Sequence, residues 1–174
     1  VRAHAAARPI RRVAVWNRRP EGARRLAEIL AAEGFDAEPV TDLAAAVGEA
    51  DLVSCATLST EPLVRGEWLR PGTHLDLVGA FTPAMREADD AALRRGPLYV
   101  DTPDALKKGG DVAVAIASGA LAPETVTGDL AALCRGEAPG RASPDEITVF
   151  KSVGAAIEDL AAAIAVWESP APSA

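Results

Sequence analysis

Aromatic residues make up only 4% of this 174-residue chain, and cysteine and histidine occur twice each. With so few rings, the core has to be built from aliphatic side chains and alanine. Cys55 and Cys134 are too few for a disulfide framework, which points to a reduced, cytoplasmic setting. His4 and His74 have no cysteine near them at ligand spacing, which argues against a zinc site and against a Ser-His-Asp triad. No uninterrupted apolar run reaches the roughly 18 residues of a membrane span. The opening Val1-Arg2-Ala3-His4 lacks the regions and cleavage pattern of a signal peptide. Basic charge is also short: 18 Lys and Arg against 25 Asp and Glu leave a net charge of −7, unlike a nucleic-acid binder.

What is present is an ordinary globular mixture, 49% hydrophobic and 25% charged, of a length that suits one domain. Short apolar runs alternate with helical patterns. Val13–Trp16 reads as a buried strand, and Pro20 opens a helix with Ala23, Leu26, Ala27 and Leu30 on one face and Gly34 at its end. Residues 35–40 give a second strand, Thr41 or Asp42 caps a helix through Val47, and residues 51–57 give a third strand. After the Pro71-Gly72 turn come a strand over 73–78, a helix over 87–94, a strand over 98–101 and a short helix over 103–108. The Gly- and Pro-rich stretch 136–144 is a surface connection. A long helix is expected from Phe150 or Ser152 to about Trp167, with Val153, Ala156, Ile157, Leu160 and Ile164 along one face that must be buried. Residues 169–174 form a tail expected to be disordered. This alternation predicts an α/β fold: a Rossmann-like, doubly wound, mainly parallel sheet with flanking helices.

Four segments suit chemistry. Asn17-Arg18-Arg19 ends the first strand, where an acidic residue would hold the 2′-hydroxyl of NAD; two guanidiniums instead suit the 2′-phosphate of NADP(H). Exposed arginines also serve simply to solvate a loop. Residues 1–30 nevertheless hold eight arginines against Glu21 and Glu28, which favours an anionic ligand or a docking face for another chain. Ala56-Thr57-Leu58 and Val78-Gly79 each lie where a strand end runs into a loop, the place where open α/β sheets bind their ligands. Ser152 and Val153 sit at the start of the last helix, whose free N–H groups would suit an anion or carboxamide, or be capped. A Gly-x-Gly-x-x-Gly phosphate loop is not found: none of the sixteen residues before Asn17 is glycine. Val1–Arg8 reads as the end of a helix, so the chain is expected to be a piece whose first strand and glycine loop lie before Val1.

In order and spacing these segments resemble the ornithine cyclodeaminase/mu-crystallin family. The resemblance rests on Trp16-Asn-Arg-Arg19, Ala56–Pro62, Gly66–His74, Val78-Gly-Ala80, Arg86-Glu87, Tyr99-Val-Asp101 and Thr148–Gly154, and covers nearly the whole chain. It implies the NAD(P)-binding Rossmann domain of a two-domain, homodimeric protein, over residues 1–168 here, with the last helix (152–167) passing toward a substrate lobe that has no counterpart in this chain. It further implies that Asn17, Arg18 and Arg19 meet the ribose phosphate, and that Ala56, Thr57 and Leu58 lie beside the adenosine and pyrophosphate. Val78 and Gly79 would then be on the nicotinamide side, Ser152 a cofactor contact and Val153 a substrate-side residue. Asp76 replaces the asparagine common in the family, and Phe81 stands where cyclodeaminases carry a catalytic aspartate. Phenylalanine accepts no proton, so the resemblance favours an oxidoreductase acting on a small imine or amino acid, with NADP(H) preferred and NAD(H) possible. The alternatives are an ornithine cyclodeaminase and a non-catalytic, NADP-binding protein like mu-crystallin. No catalytic acid or base is named, no metal is expected, and the isolated chain is expected to be inactive.

Overall fold

The computed structural model describes residues 1–169, so most of the expected tail (170–174) lies outside the described residues. The chain divides into two compact units, Val1–Glu49 and Ala50–Ala174.

The first unit runs α1 (Arg2–Ala7), β1 (Arg12–Val15), α2 (Pro20–Ala32), β2 (Asp36–Pro39) and α3 (Leu43–Glu49). Strands β1 and β2 pair in parallel, Arg12 opposite Asp36 and Val15 opposite Pro39. Pro20 occupies the first position of α2, where its missing N–H costs no intrahelical bond. Ala23, Ala27 and Leu30 of α2 bury against Val15, with Val13, Phe35 and Ala37 alongside. Leu26, expected on this face, is 44% exposed, because the stripe that meets so narrow a sheet is one residue wide. Gly34 ends the helix at φ +94°, a conformation that favours glycine. Asp42 caps α3, its Oδ1 accepting from the Ala45 N–H at 3.0 Å.

The second unit holds a five-stranded, wholly parallel sheet in the order β3-β4-β7-β5-β6. Its strands are β3 (Leu52–Cys55), β4 (His74–Leu77), β5 (Leu98–Val100), β6 (Val126–Asp129) and β7 (Thr148–Lys151). The helices are α4 (Asp90–Leu93), α5 (Ala105–Lys108), α6 (Gly110–Ala117), α7 (Leu130–Arg135) and α8 (Ala156–Glu168). Leu75, Leu77, Leu98, Val100, Val112 and Val149 are all but completely buried, the run of aliphatics that a parallel sheet covered by helices demands.

Two expectations need correction here, and one stretch carries structure that was not expected. The helix expected over 87–94 is only α4, because Asp89 caps it: its Oδ1 accepts from Ala92 N–H at 2.8 Å and from Gly66 N–H at 3.0 Å. Phe150 and Ser152 do not begin the last helix. Thr148–Lys151 is the central strand β7, between β4 and β5, and Gly154 at φ +81° separates it from α8. Residues in the middle of a sheet favour β-branched and aromatic side chains, and Thr148-Val149-Phe150 supplies them. Finally, the segment between residues 110 and 135 carries α6, β6 and α7, which alanine-rich, weakly periodic sequence had not revealed.

Candidate functional site

In the first unit, Asn17, Arg18 and Arg19 form the exposed turn from β1 into α2. Asn17 Oδ1 accepts from the Arg19 N–H at 2.9 Å, an Asx turn that sets the approach to the helix. The side chain also leans on Gly22, where an added Cβ would lie 3.2 Å from it. Two other arginines of this unit form ion pairs: Arg2 binds Glu33 and Arg12 binds Glu38. Neither the Arg18 nor the Arg19 guanidinium has a carboxylate partner among the described residues.

In the second unit, the remaining candidates gather at the carboxyl ends of adjacent strands β3, β4 and β7. The loops are tied at the backbone: Val78 N–H donates to Cys55 O at 2.8 Å, and Ser152 N–H to Leu77 O at 2.9 Å. Ala56, Leu58, Val78 and Phe81 are exposed on these loops, at 70% for Leu58 and 48% for Phe81. Thr57 is half-buried and Gly79 buried. A Cβ at Gly79 would overlap the Thr57 carbonyl oxygen and the Glu87 carboxylate, so only glycine lets the two loops close on one another. Ala80 follows at φ +45°, a left-handed conformation that costs a residue with a side chain roughly 1–2 kcal/mol.

Ser152 and Val153 are not at a helix N-terminus with free N–H groups. The Asp101 carboxylate takes all three donors: Oδ2 accepts from the Ser152 hydroxyl at 2.9 Å and from the Val153 and Gly154 N–H groups at 2.7 Å each. Asp101 is thus the residue that shapes this loop. Val153 stays half-buried, its Cγ1 lying 2.9 Å from the position of a Cβ added at Gly109. At Asp76 the carboxylate is engaged by the Ser54 hydroxyl at 2.9 Å.

Beneath the loops lies a group of charges that composition could not locate. Glu87, Asp111 and Lys151 are each 0% exposed. Lys151 Nζ lies 3.3 Å from Asp111 Oδ2 and donates to the Gly79 carbonyl. Asp111 Oδ1 accepts from the backbone N–H of Glu87 at 2.7 Å and of Ala88 at 3.0 Å, and Arg86 Nε approaches it at 3.9 Å. Burial pushes the Glu87 carboxyl above the usual carboxylate range, against the pull of the Thr57 N–H and Lys151. Burial, with Glu87 close by, likewise pushes the Cys55 thiol far up, so that thiol is no nucleophile. The signal available in the sequence was a lone charge inside an apolar run, Asp111 before Val112-Ala-Val and Lys151 after Val149-Phe150. No group of three or more potential metal ligands occurs among the described residues.

Parallel strands with short loops and exposed apolar side chains at their carboxyl ends are the setting in which open α/β sheets bind nucleotides. The ornithine cyclodeaminase/mu-crystallin family profile matches residues 1–173. The chain is a member of this family. The Delta(1)-pyrroline-2-carboxylate reductase of Paracoccus denitrificans is 51% identical over 162 residues, which are 92% of this chain and 51% of that protein. A Delta(1)-pyrroline-2-carboxylate reductase from Thermococcus litoralis, solved in complex with NADH and L-proline, matches at a TM-score of 0.92 and 33% identity over 95% of this chain and 52% of that one. An archaeal alanine dehydrogenase dimer with bound NAD matches at a TM-score of 0.89 and 30% identity over 96% of this chain and 52% of that one. Each is a similar protein, and the chain spans about half the length of each. The family's Rossmann-type fold is therefore the fold of this chain.

Proposed function

We propose that residues 1–168 are the dinucleotide-binding domain of an NADP(H)-dependent oxidoreductase acting on a small cyclic imine or amino acid. The observation that carries this reading is the surface at the carboxyl ends of β3 and β4. There the exposed Ala56, Leu58, Val78 and Phe81 offer apolar contact to flat rings, and Glu87, which reaches between the loops, is buried below them. These residues fit a dinucleotide: Thr57, Val78 and Gly79 present backbone and small side chains to it, and Ser152 and Val153 border the nicotinamide and substrate side. When bound, the nicotinamide supplies the hydride that reduces an imine carbon.

Arg18 and Arg19 are the basis for preferring NADP(H), since they offer unengaged charge to a 2′-phosphate and no carboxylate to a 2′-hydroxyl. NAD(H) is the cofactor named for the similar solved proteins, which makes this preference a property of the turn at Asn17 rather than of the fold. Phe81 replaces the proton-accepting aspartate of the cyclodeaminases, which supports a reductase over a lyase.

A homodimer suits the apolar, exposed face of α8, with Ile157 at 72% and Leu160 at 59% exposure. The reduced thiols of the cytoplasm suit Cys55 and Cys134, both free. No helix among the described residues is long and apolar enough to cross a membrane.

The test is turnover by the product of the complete reading frame, with NADPH or NADH and pyrroline-2-carboxylate or its six-membered homologue. Consumption of reduced nicotinamide is expected, faster at low NADPH than at low NADH. Ammonia release from ornithine without net cofactor consumption would assign a lyase instead, and tight NADPH binding without turnover a binding protein.

A further inference from the structure

The loop after β3 and the loop after β4 are held together by a closed circuit of buried polar contacts. Glu87 Oε1 accepts from the Thr57 N–H at 2.5 Å and occupies the space a Cβ of residue 79 would need. The Glu87 backbone is itself pinned from two sides. Its N–H donates to Asp111 Oδ1 at 2.7 Å, and its carbonyl accepts from the Leu63 and Val64 N–H groups at 2.9 Å each. Asp111 meets Lys151, and Lys151 returns to the Gly79 carbonyl. All three side chains are fully buried, and Glu87 Oε2 has no hydrogen-bond partner among the described residues.

A core that needed only stability would fill this space with aliphatic side chains, because desolvating charges is expensive. What the carboxyl does that an aliphatic chain cannot is hold the Thr57 peptide by its N–H while excluding any side chain at residue 79. We propose that Glu87 is a positioning residue for dinucleotide binding, its Oε1 setting the Thr57 peptide against the Gly79 backbone at the spacing the cofactor requires. This rests on the reading of Thr57, Val78 and Gly79 as cofactor contacts. The oxygen's position does the work rather than its charge, since a neutral carbonyl oxygen accepts the same N–H.

Two variants separate position from charge. Glu87→Gln keeps an acceptor oxygen in place and removes the charge, whereas Glu87→Asp keeps the charge and draws the oxygen back by one methylene. In the product of the complete reading frame, Glu87→Asp should raise the dissociation constant and KM for NADPH about tenfold, the cost of one hydrogen bond. Its kcat at saturating NADPH and its KM for the imine should hold near wild type. Glu87→Gln should bind NADPH within about threefold of wild type, as expected when the bond is kept. Thermal melts on both variants establish that they are folded, so that a change in NADPH binding reports the placement of the Thr57 peptide and not unfolding. NADPH binding by Glu87→Asp equal to wild type, or lost equally in Glu87→Gln, would overturn the proposal while leaving the oxidoreductase reading intact. A wild-type protein that binds neither NADPH nor NADH would overturn both.

Discussion

Lys151 illustrates how much one residue can carry. Its ammonium is fully buried, 3.3 Å from Asp111 Oδ2, and it caps the Gly79 carbonyl. Removing one member of such a pair leaves an uncompensated charge, so Lys151→Met should cost roughly 3–5 kcal/mol in urea denaturation. Glu87 gives a pH signature. Its folded carboxyl lies above the ordinary value, so the unfolded chain releases this proton first as pH rises. Stability should therefore fall as pH climbs from the ordinary glutamate range through the raised folded value and level off above it. Glu87→Gln should lack that slope relative to wild type in urea midpoints measured across the range. Arg18 and Arg19 are exposed, and the proposed function gives them a role in recognition rather than stability. Replacing both with alanine should weaken NADPH binding about tenfold or more, the worth of a charge-assisted bond, and leave NADH nearly unchanged. Equal affinity of the wild type for the two cofactors would refute the assignment.

At the scale of elements, the end of β7 is the informative case. Three donors from Ser152, Val153 and Gly154 converge on Asp101 Oδ2, which makes this loop a carboxylate-bound turn and delays α8 to Ala156. Asp101→Ala should destabilise the protein by roughly 1.5–3 kcal/mol, because charge-assisted bonds are lost and two N–H groups are left without their acceptor. Ser152→Ala removes only one of the three bonds and should cost less in a melt, about 1 kcal/mol, while weakening NADPH binding if its hydroxyl also meets the cofactor. Helix α8 poses the opposite situation. Ile157, Leu160, Ile164 and Trp167 are exposed, and no residue of the helix is buried among those described. Leu160→Asp should accordingly leave the melting of the 174-residue polypeptide unchanged and weaken assembly of the complete protein in sedimentation, since apolar area is lost only where a partner covers it.

At the largest scale, β1 and β3 each have one strand partner among the described residues. None of the sixteen residues that precede Asn17 in the 174-residue polypeptide is glycine. The pyrophosphate of a dinucleotide depends on the N–H groups of a glycine-rich loop and of the helix behind it. Calorimetry on the 174-residue polypeptide alone should therefore detect no micromolar NADPH binding, and light scattering should show association growing with concentration, as unpaired strand edges invite.

Strand-helix alternation, the turns at Pro20, Gly34 and Gly72, and the family itself were legible in the sequence, because they depend on local chemistry and on residue order. Proline at a first helical position and glycine at positive φ act within a few residues of themselves. The candidate loops were legible for the same reason: each follows a short apolar run. Only the tertiary structure decided that Thr148–Lys151 is a strand, since its partners in the sheet lie far back along the chain: Leu77 of β4 and Val100 of β5 both pair with Lys151. It also decided that Ser152 answers to Asp101, 51 residues away, and that Glu87 reaches the Thr57 peptide 30 residues before it. Burial turns those carboxylates from surface charges into loop anchors, and burial is a property of the assembled sheet that no local pattern encodes.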